Sequence, residues 1–149
     1  MAERTVVFCF LACMLIGGVS GSYGQQDSGL LRAQGNQTCQ EVQSGKMWQV
    51  EKKRGVATAR EAELHVAGLQ LGGYDDWRLP TKAEMLNLAK IFFRHKNNDC
   101  DINMRGDFWI VDDGRPPSPG HWEIDFACGP VYRYIKAIQS QGSVLAIRP

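Results

Sequence analysis

Apolar positions recur at helical spacing in two stretches of this 149-residue chain, and at alternate positions in its second half. Ala59, Ala62, Val66 and Leu69 form a narrow stripe whose spacing predicts an amphipathic helix. Thr58 and Glu61 stand in front of it as a capping box, the hydroxyl accepting from the Glu61 N–H while the carboxylate reaches back. Gly72 and Gly73 are expected to close that helix, since glycine enters the left-handed region without strain. Met85, Leu88, Ala89 and Phe92 form a second stripe, with Thr81 and Glu84 as its capping box. Pro80 bars Leu79 from the helical region, and Arg94, His95 and Lys96 put cations at the far end.

Downstream the period changes. Residues 108–111 (FWIV) are a short apolar run, and Trp122, Ile124 and Phe126 alternate with Glu123 and Asp125, the signature of a half-exposed strand. Residues 131–134 and 144–148 read as further strands, and residues 112–120 (DDGRPPSPG) as an exposed hairpin loop. The expectation is an α+β domain, two helices packed on a small, mainly antiparallel sheet.

The N-terminus bears on compartment. Residues 6–16 (VVFCFLACMLI) are unbroken apolar sequence behind Arg4, followed by the small residues of GGVSGSYG. This is the layout of a secretory signal peptide, residues 1–24, with cleavage after Gly21 or Gly24. A spanning helix needs about 20 apolar residues, so the run is too short for one. Lipidation at Cys13 is the competing reading, but few apolar residues precede that cysteine and Phe10 stands where leucine is usual. Residues 25–36 (QQDSGLLRAQGN) are polar and aperiodic and read as a flexible leader before a domain at 37–149. A mature chain of roughly 125 residues is one domain with room for a core. The net charge of +1 supplies no field that would draw the chain to nucleic acid or an anionic membrane.

Of five cysteines, Cys9 and Cys13 leave with the signal, and Cys39, Cys100 and Cys128 remain. The expected disulfide is Cys100–Cys128, both lying in the loop-rich second half; pairing of Cys39 with either stays open. If Cys39 is unpaired it is buried, or it bridges two copies into a dimer. There is no CxxC or paired-histidine spacing for zinc, and His65, His95 and His121 lie outside any nucleophile motif. No catalytic residue, metal or cofactor is assigned.

Between the helices stands LGGYDDWRLPTKAEM, residues 71–85. The glycines follow a helix rather than a strand and no GxxxxGK[ST] is present, so it is not a phosphate loop. The reading is a fold-defining corner: Gly72, Gly73 and Pro80 set the backbone, Trp77 and Leu79 fill the core, and Asp75 or Asp76 joins Arg78 in charge-assisted bonds to loop backbone.

That block, with SGKMWQ (44–49), FWIVDD (108–113), HWEIDFACG (121–129) and VLAIRP (144–149), resembles the Lcl C-terminal domain family, named for the terminal domain of a bacterial collagen-like adhesin. The resemblance spans residues 38–149 and implies a C-type-lectin-like fold, related to that of formylglycine-generating enzymes. It also implies an exported bacterial protein, periplasmic or secreted, and, from the adhesin, binding of sulfated polysaccharides. The chain lacks a collagen-like segment, and Ile147 and the 65–67 stretch stand where the family often has cysteines. The family's usual disulfide is then missing or replaced.

Two surface regions invite ligands. Residues 97–103 (NNDCDIN) offer oxygens at alternate positions like the start of a calcium loop, but Met104 and Ile110 replace its glycine and closing glutamate. The hairpin region is the better candidate, with Arg115, His121 and Trp122 around the loop and Tyr132, Arg133, Tyr134 and Lys136 as a sugar-stacking or sulfate-binding face. The plainer reading of that last group is an amphipathic edge strand. The functional expectation is a non-catalytic exported binding module with a glycan or sulfated-polysaccharide ligand. The alternatives are a protein–protein interaction domain of an envelope assembly and, against the shortage of reactive cysteines, a formylglycine-generating-type enzyme.

Overall fold

The computed structural model describes residues 30–126 and 130–149. The stretch expected to be a signal peptide, Cys13 and Cys128 lie outside the described residues. In chain order the elements are β1 (Leu31–Ala33), β2 (Thr38–Glu41), β3 (Met47–Gln49), β4 (Lys53–Val56), α1 (Ala59–Ala67), α2 (Lys82–Phe93), β5 (Phe108–Asp112), β6 (Arg115–Asp125), β7 (Val131–Lys136), β8 (Gly142–Val144) and β9 (Ile147–Arg148). The fold is α+β, but the strands form two sheets rather than one small sheet: β1-β2-β3-β9 and β4-β8-β5-β6-β7. All named pairings are antiparallel except β5 with β8, which run parallel at Phe108 and Ser143.

The unbroken apolar runs have a physical explanation. In a strand, successive side chains point to opposite faces, so a run apolar at every position is buried on both. Phe108 and Ile110 enter one core with Met85, Leu88 and Ile91 of α2, while Trp109 enters a second core with Ala62 and Val66 of α1. The closing residues alternate likewise: Leu145 and Ile147 face the α2 core, Val144 and Ala146 the α1 core. Trp48 and Met47 of β3 divide in the same way. The two helices therefore serve separate cores.

α1 begins at Thr58, whose hydroxyl accepts from the Glu61 N–H at 3.1 Å; the Glu61 carboxylate reaches back to the N–H of Ala57, one residue earlier than a capping box requires. Its end is Gly68, whose N–H bonds to Leu64, so Gly72 and Gly73 do not close it. They form instead a separate reversal in which Leu71 and Tyr74 exchange both backbone bonds. Their φ values of 65° and 84° are those of a type I′ turn, which glycine adopts readily. α2 has the full reciprocal capping box at Thr81 and Glu84. Ile91 is buried where Phe92, only partly covered, was expected.

Three more expectations change. Leu30 to Asn36 is not wholly leader: Leu31–Ala33 pair with β2 and Leu31 is fully buried in the α2 core. Its place was hidden because three residues are too few to show a period. Cys100 bonds Cys39, with 6.0 Å between Cα atoms, instead of Cys128. Both sulfurs sit in the α2 core, so Cys39 is closed off as an intermolecular cross-link. The reason is tertiary: the β1–β2 pair and the loop after α2 converge, as the bond to the Asp99 carboxylate from the N–H of Ala33, the β1 residue paired with Cys39, also shows. Finally, the proline-rich stretch is mostly strand. Only Asp113 and Gly114 turn, and Arg115 to Pro119 pair with β5 beyond the reach of β7, where a missing N–H costs little.

Candidate functional site

The corner at residues 71–84 closes on itself. Trp77 is 4% exposed, and its indole N–H donates to the carbonyls of Leu71 and Tyr74, bracing the turn. Arg78 exchanges backbone bonds with Ile147, and the Pro80 carbonyl accepts from Val111, so the corner is stitched to both sheets. The aspartates do not partner Arg78. Asp76 accepts from Arg148 at 2.6 and 3.0 Å, and the Arg148 guanidinium lies 3.7 Å over the Tyr74 ring. Asp75 is exposed. Arg78 grips Glu84 through two bonds of 2.8 and 2.7 Å, and Lys46 adds a third at 2.7 Å. Burial alone would raise the Glu84 pKa. Arg78, Lys46 and the Thr81 N–H outweigh it and hold the carboxyl well below the usual carboxylate range. Geometry of this kind holds a fold, and it commits Trp77, Asp76, Arg78 and Glu84 to the protein itself.

The β6–β7 ribbon is different. Cross-strand register pairs Trp122 with Tyr134, Glu123 with Arg133, Ile124 with Tyr132, and His121 with Ile135. Alternation therefore divides the nominated residues between two faces. Trp122, Tyr132, Tyr134 and Lys136 share one; His121 and Arg133 lie on the other.

On the second face the cations are already matched. His121 Nδ1 lies 2.6 Å from Asp107 and Nε2 lies 3.1 Å from Glu123, while Arg133 meets Asp125 at 2.9 Å. Burial would lower the His121 pKa, but the two carboxylates raise it above its ordinary value. With both ring nitrogens engaged, His121 has no free position from which to act as a general base.

The first face is partly roofed by α2. Lys90 lies 5.4 Å over Tyr132, Phe93 stacks on the same ring at 5.9 Å, and Lys82 lies 4.9 Å over Tyr134. The expected row of open sugar platforms is thus covered along much of its length. What remains open is a cleft between the start of α2 and the β5–β6 turn. One recess of about 400 Å³ is walled by Lys82, Leu86, Asp112 and Trp122. Its neighbour, about 410 Å³, is walled by Lys82, Arg115, Ser118, Tyr134 and Lys136. Gly120 makes this packing possible, because a Cβ there would stand 2.2 Å from the Tyr134 hydroxyl. Arg115 is held only loosely by Asp112 at 3.7 Å, and Lys82 and Lys136 form no ion pair among the described residues.

The tryptophans draw the contrast. Trp48 donates to Glu41, Trp77 to its turn, and Trp109 to Val56. Trp122 Nε1, beside the cleft, is buried with no partner among the described residues. Buried donors are nearly always paired, so this one marks an unusual environment.

Lys82, Leu86, Lys90 and Phe93 were not nominated from sequence. Their spacing on one stripe of a helix was the available signal, and it was overshadowed by the apolar stripe beside them. In residues 97–103 the oxygens serve the chain: Asp99 caps the Ala33 N–H and Asn103 accepts from Arg105. No group of three or more histidine, cysteine, aspartate or glutamate side chains suited to a metal occurs among the described residues. No described helix is long and apolar enough to cross a membrane. No protein-family model matches the chain, and neither a curated protein nor a solved structure matches it.

Proposed function

We propose that this chain is a non-catalytic, exported binding module that takes an acidic or sulfated glycan in the cleft between α2 and the β5–β6 turn. The observation that carries the reading is Trp122, alone among the four tryptophans in lacking a hydrogen-bond partner among the described residues, at the wall of a recess flanked by Lys82. An aromatic wall beside cations suits a sugar ring bearing an acidic substituent. Lys82, Arg115 and Lys136 supply charge, Tyr134 and Trp122 apolar surface, and Asp112 an acceptor for hydroxyls. The buried disulfide fits an oxidising compartment, and with Cys39 and Cys100 both consumed in it there is little support for a paired-cysteine enzyme. The C-type-lectin-like fold suggested by the sequence motifs belongs to the same reading.

The test is a glycan array with the oxidised protein, with and without calcium and at raised salt. Binding to acidic glycans that weakens with salt is expected. The Lys82→Gln/Lys136→Gln pair should lower affinity about tenfold or more, two charge-assisted contacts being lost. Binding unaffected by that pair, or no binding at all, overturns the assignment.

A second reading has its own observation. Phe126, Val131, Ile135 and Ile138 are exposed around β7, an edge strand with unpaired backbone on one side. An edge of this kind suits an envelope protein partner. Array silence with saturable capture of an envelope protein, abolished by Ile135→Lys, would favour it.

A further inference from the structure

At the opposite edge of the five-stranded sheet from β7, three cations converge without compensation. Lys52 precedes β4, Arg54 lies in it, and Arg105 stands in the loop leading to β5. Together with Asn103, Gly106 and Ser143 they wall an open recess of about 370 Å³. None of the three takes part in an ion pair among the described residues. Glu51 and Asp101 border the adjoining recess, which shares Lys52 and Arg54, yet neither reaches ion-pair distance of a cation among the described residues. Asp107, next in sequence to Gly106, is committed to His121.

The arrangement is built rather than incidental. The Lys52 amine donates to the Arg105 carbonyl, lies 3.5 Å from the Asn103 amide oxygen, and sits 4.7 Å over the Phe108 ring. Asn103 also accepts from the Arg105 N–H at 3.0 Å, which fixes the loop that carries the guanidinium. The β4–β8 register shifts between Lys53 and Val56, with Gly55 at φ 68°. A bulge of this kind re-aims the neighbouring side chains. Lys53 meets Glu61 at 3.9 Å, whereas Arg54 lines the recess. At Gly106, φ 92°, nothing stands within 4 Å of where a Cβ would be, so the recess is open over the backbone.

We infer that Lys52, Arg54 and Arg105 form a binding site for a tetrahedral oxyanion, the sulfate or phosphate group of an ester. Two guanidinium forks and one ammonium, brought together around one open recess, offer several donors to several oxygens at once. Burial, and then the like charge of Arg54, lower the Lys52 pKa below its ordinary value. An anion among the three would relieve that repulsion. The site does not depend on the cleft at α2, and it stands if that assignment fails.

The experiment is an amide and arginine side-chain NMR titration of the whole exported chain with sodium sulfate and with sodium phosphate, against sodium chloride at matched ionic strength. Saturable shifts at Gly106, Ser143 and the Arg54 and Arg105 side chains are expected with the oxyanions and not with chloride. Both arginines are exposed, so Arg54→Gln/Arg105→Gln should keep the wild-type spectrum elsewhere and lose affinity about tenfold or more. A sugar sulfate and a sugar phosphate, added separately, then distinguish the two esters, and equal binding confirms the shared oxyanion chemistry. Shifts that track ionic strength alone, or saturable binding that persists in the double variant, overturn the assignment.

Discussion

The corner at residues 71–84 and the β6–β7 ribbon carry similar residues, tryptophan, tyrosine, arginine and carboxylates, and use them in opposite ways. In the corner the main polar groups are held within the fold: Trp77 holds Leu71 and Tyr74, Arg78 holds Glu84, and Asp76 holds Arg148. In the ribbon, one face matches its charges at the surface while the other leaves Trp122 Nε1 without a partner among the described residues, at a recess flanked by Lys82. Apart from Lys82, which walls the cleft from the start of α2, the block with the most distinctive sequence is therefore committed to the fold rather than to binding. Distinctiveness there reflects many simultaneous geometric demands, namely a type I′ turn, a buried indole, a capping box and a bidentate ion pair. A binding surface needs fewer fixed residues and leaves a fainter pattern.

That comparison breaks if the corner proves dispensable to the fold. Trp77→Ala should cost about 3 to 5 kcal/mol, the range for deleting a large buried aromatic, measured by denaturant unfolding. A stable Trp77→Ala protein that had lost glycan binding would make the corner a ligand site after all.

Next in size is the disulfide. Cys39 and Cys100 are separated by 61 residues, and opening so long a loop should cost about 2 to 4 kcal/mol. Midpoints with and without reductant give the value. A non-reducing peptide map checks the pairing itself, since a Cys100–Cys128 peptide would contradict the structure.

Glu84→Gln should cost about 1 to 3 kcal/mol, the scale of losing charge-assisted bonds to Arg78 and Lys46. Because the folded pKa is depressed, the contribution of Glu84 is present above its ordinary value of 4.5 and is lost as pH falls below it. Wild-type stability should therefore drop on acidification below about pH 4.5 more steeply than that of the variant. Parallel curves for the two would remove Glu84 from its central role.

The smallest effect sharpens the ribbon. His121 has a raised pKa, so its bonds to Asp107 and Glu123 contribute fully below its ordinary value of 6.5 and fade as pH rises through the folded pKa. Arg133, across from Glu123 on β7, is occupied with Asp125 and does not replace it. His121→Gln should lose under about 1 kcal/mol, detectable near pH 5 and absent near pH 9 in thermal melts. A difference that grows with pH would reverse the assignment.

How much of this was legible beforehand differs from element to element. Both helices follow from spacing and caps, since an apolar stripe with Thr and Glu at its start is satisfied by few other conformations. The run FWIV was legible as a short apolar run, though not that its residues would feed two cores, and residues 144–148, expected as one strand, divide between β8 and β9 in different sheets. β1 escaped notice because so short a strand is defined by its partner β2 and not by its own pattern. Arg115 and Lys136 were nominated and do meet beside one recess, but Arg133, three residues before Lys136 on the same strand, lies on the other face. Lys82 joins that recess from α2, and Lys52, Arg54 and Arg105 meet from separate segments, which no local pattern reveals.

Local sequence thus determined what backbone preference and side-chain period control: two capped helices, alternating strands, and a glycine turn after the first helix. The tertiary structure alone decided which distant groups became neighbours: Cys39 with Cys100, Arg148 with Asp76, Glu84 with Lys46, and the cations of each recess. The reason is range. Helix and strand preferences act over a few residues, whereas disulfides, ion pairs and pockets form between segments that only the folded packing brings within a few ångströms.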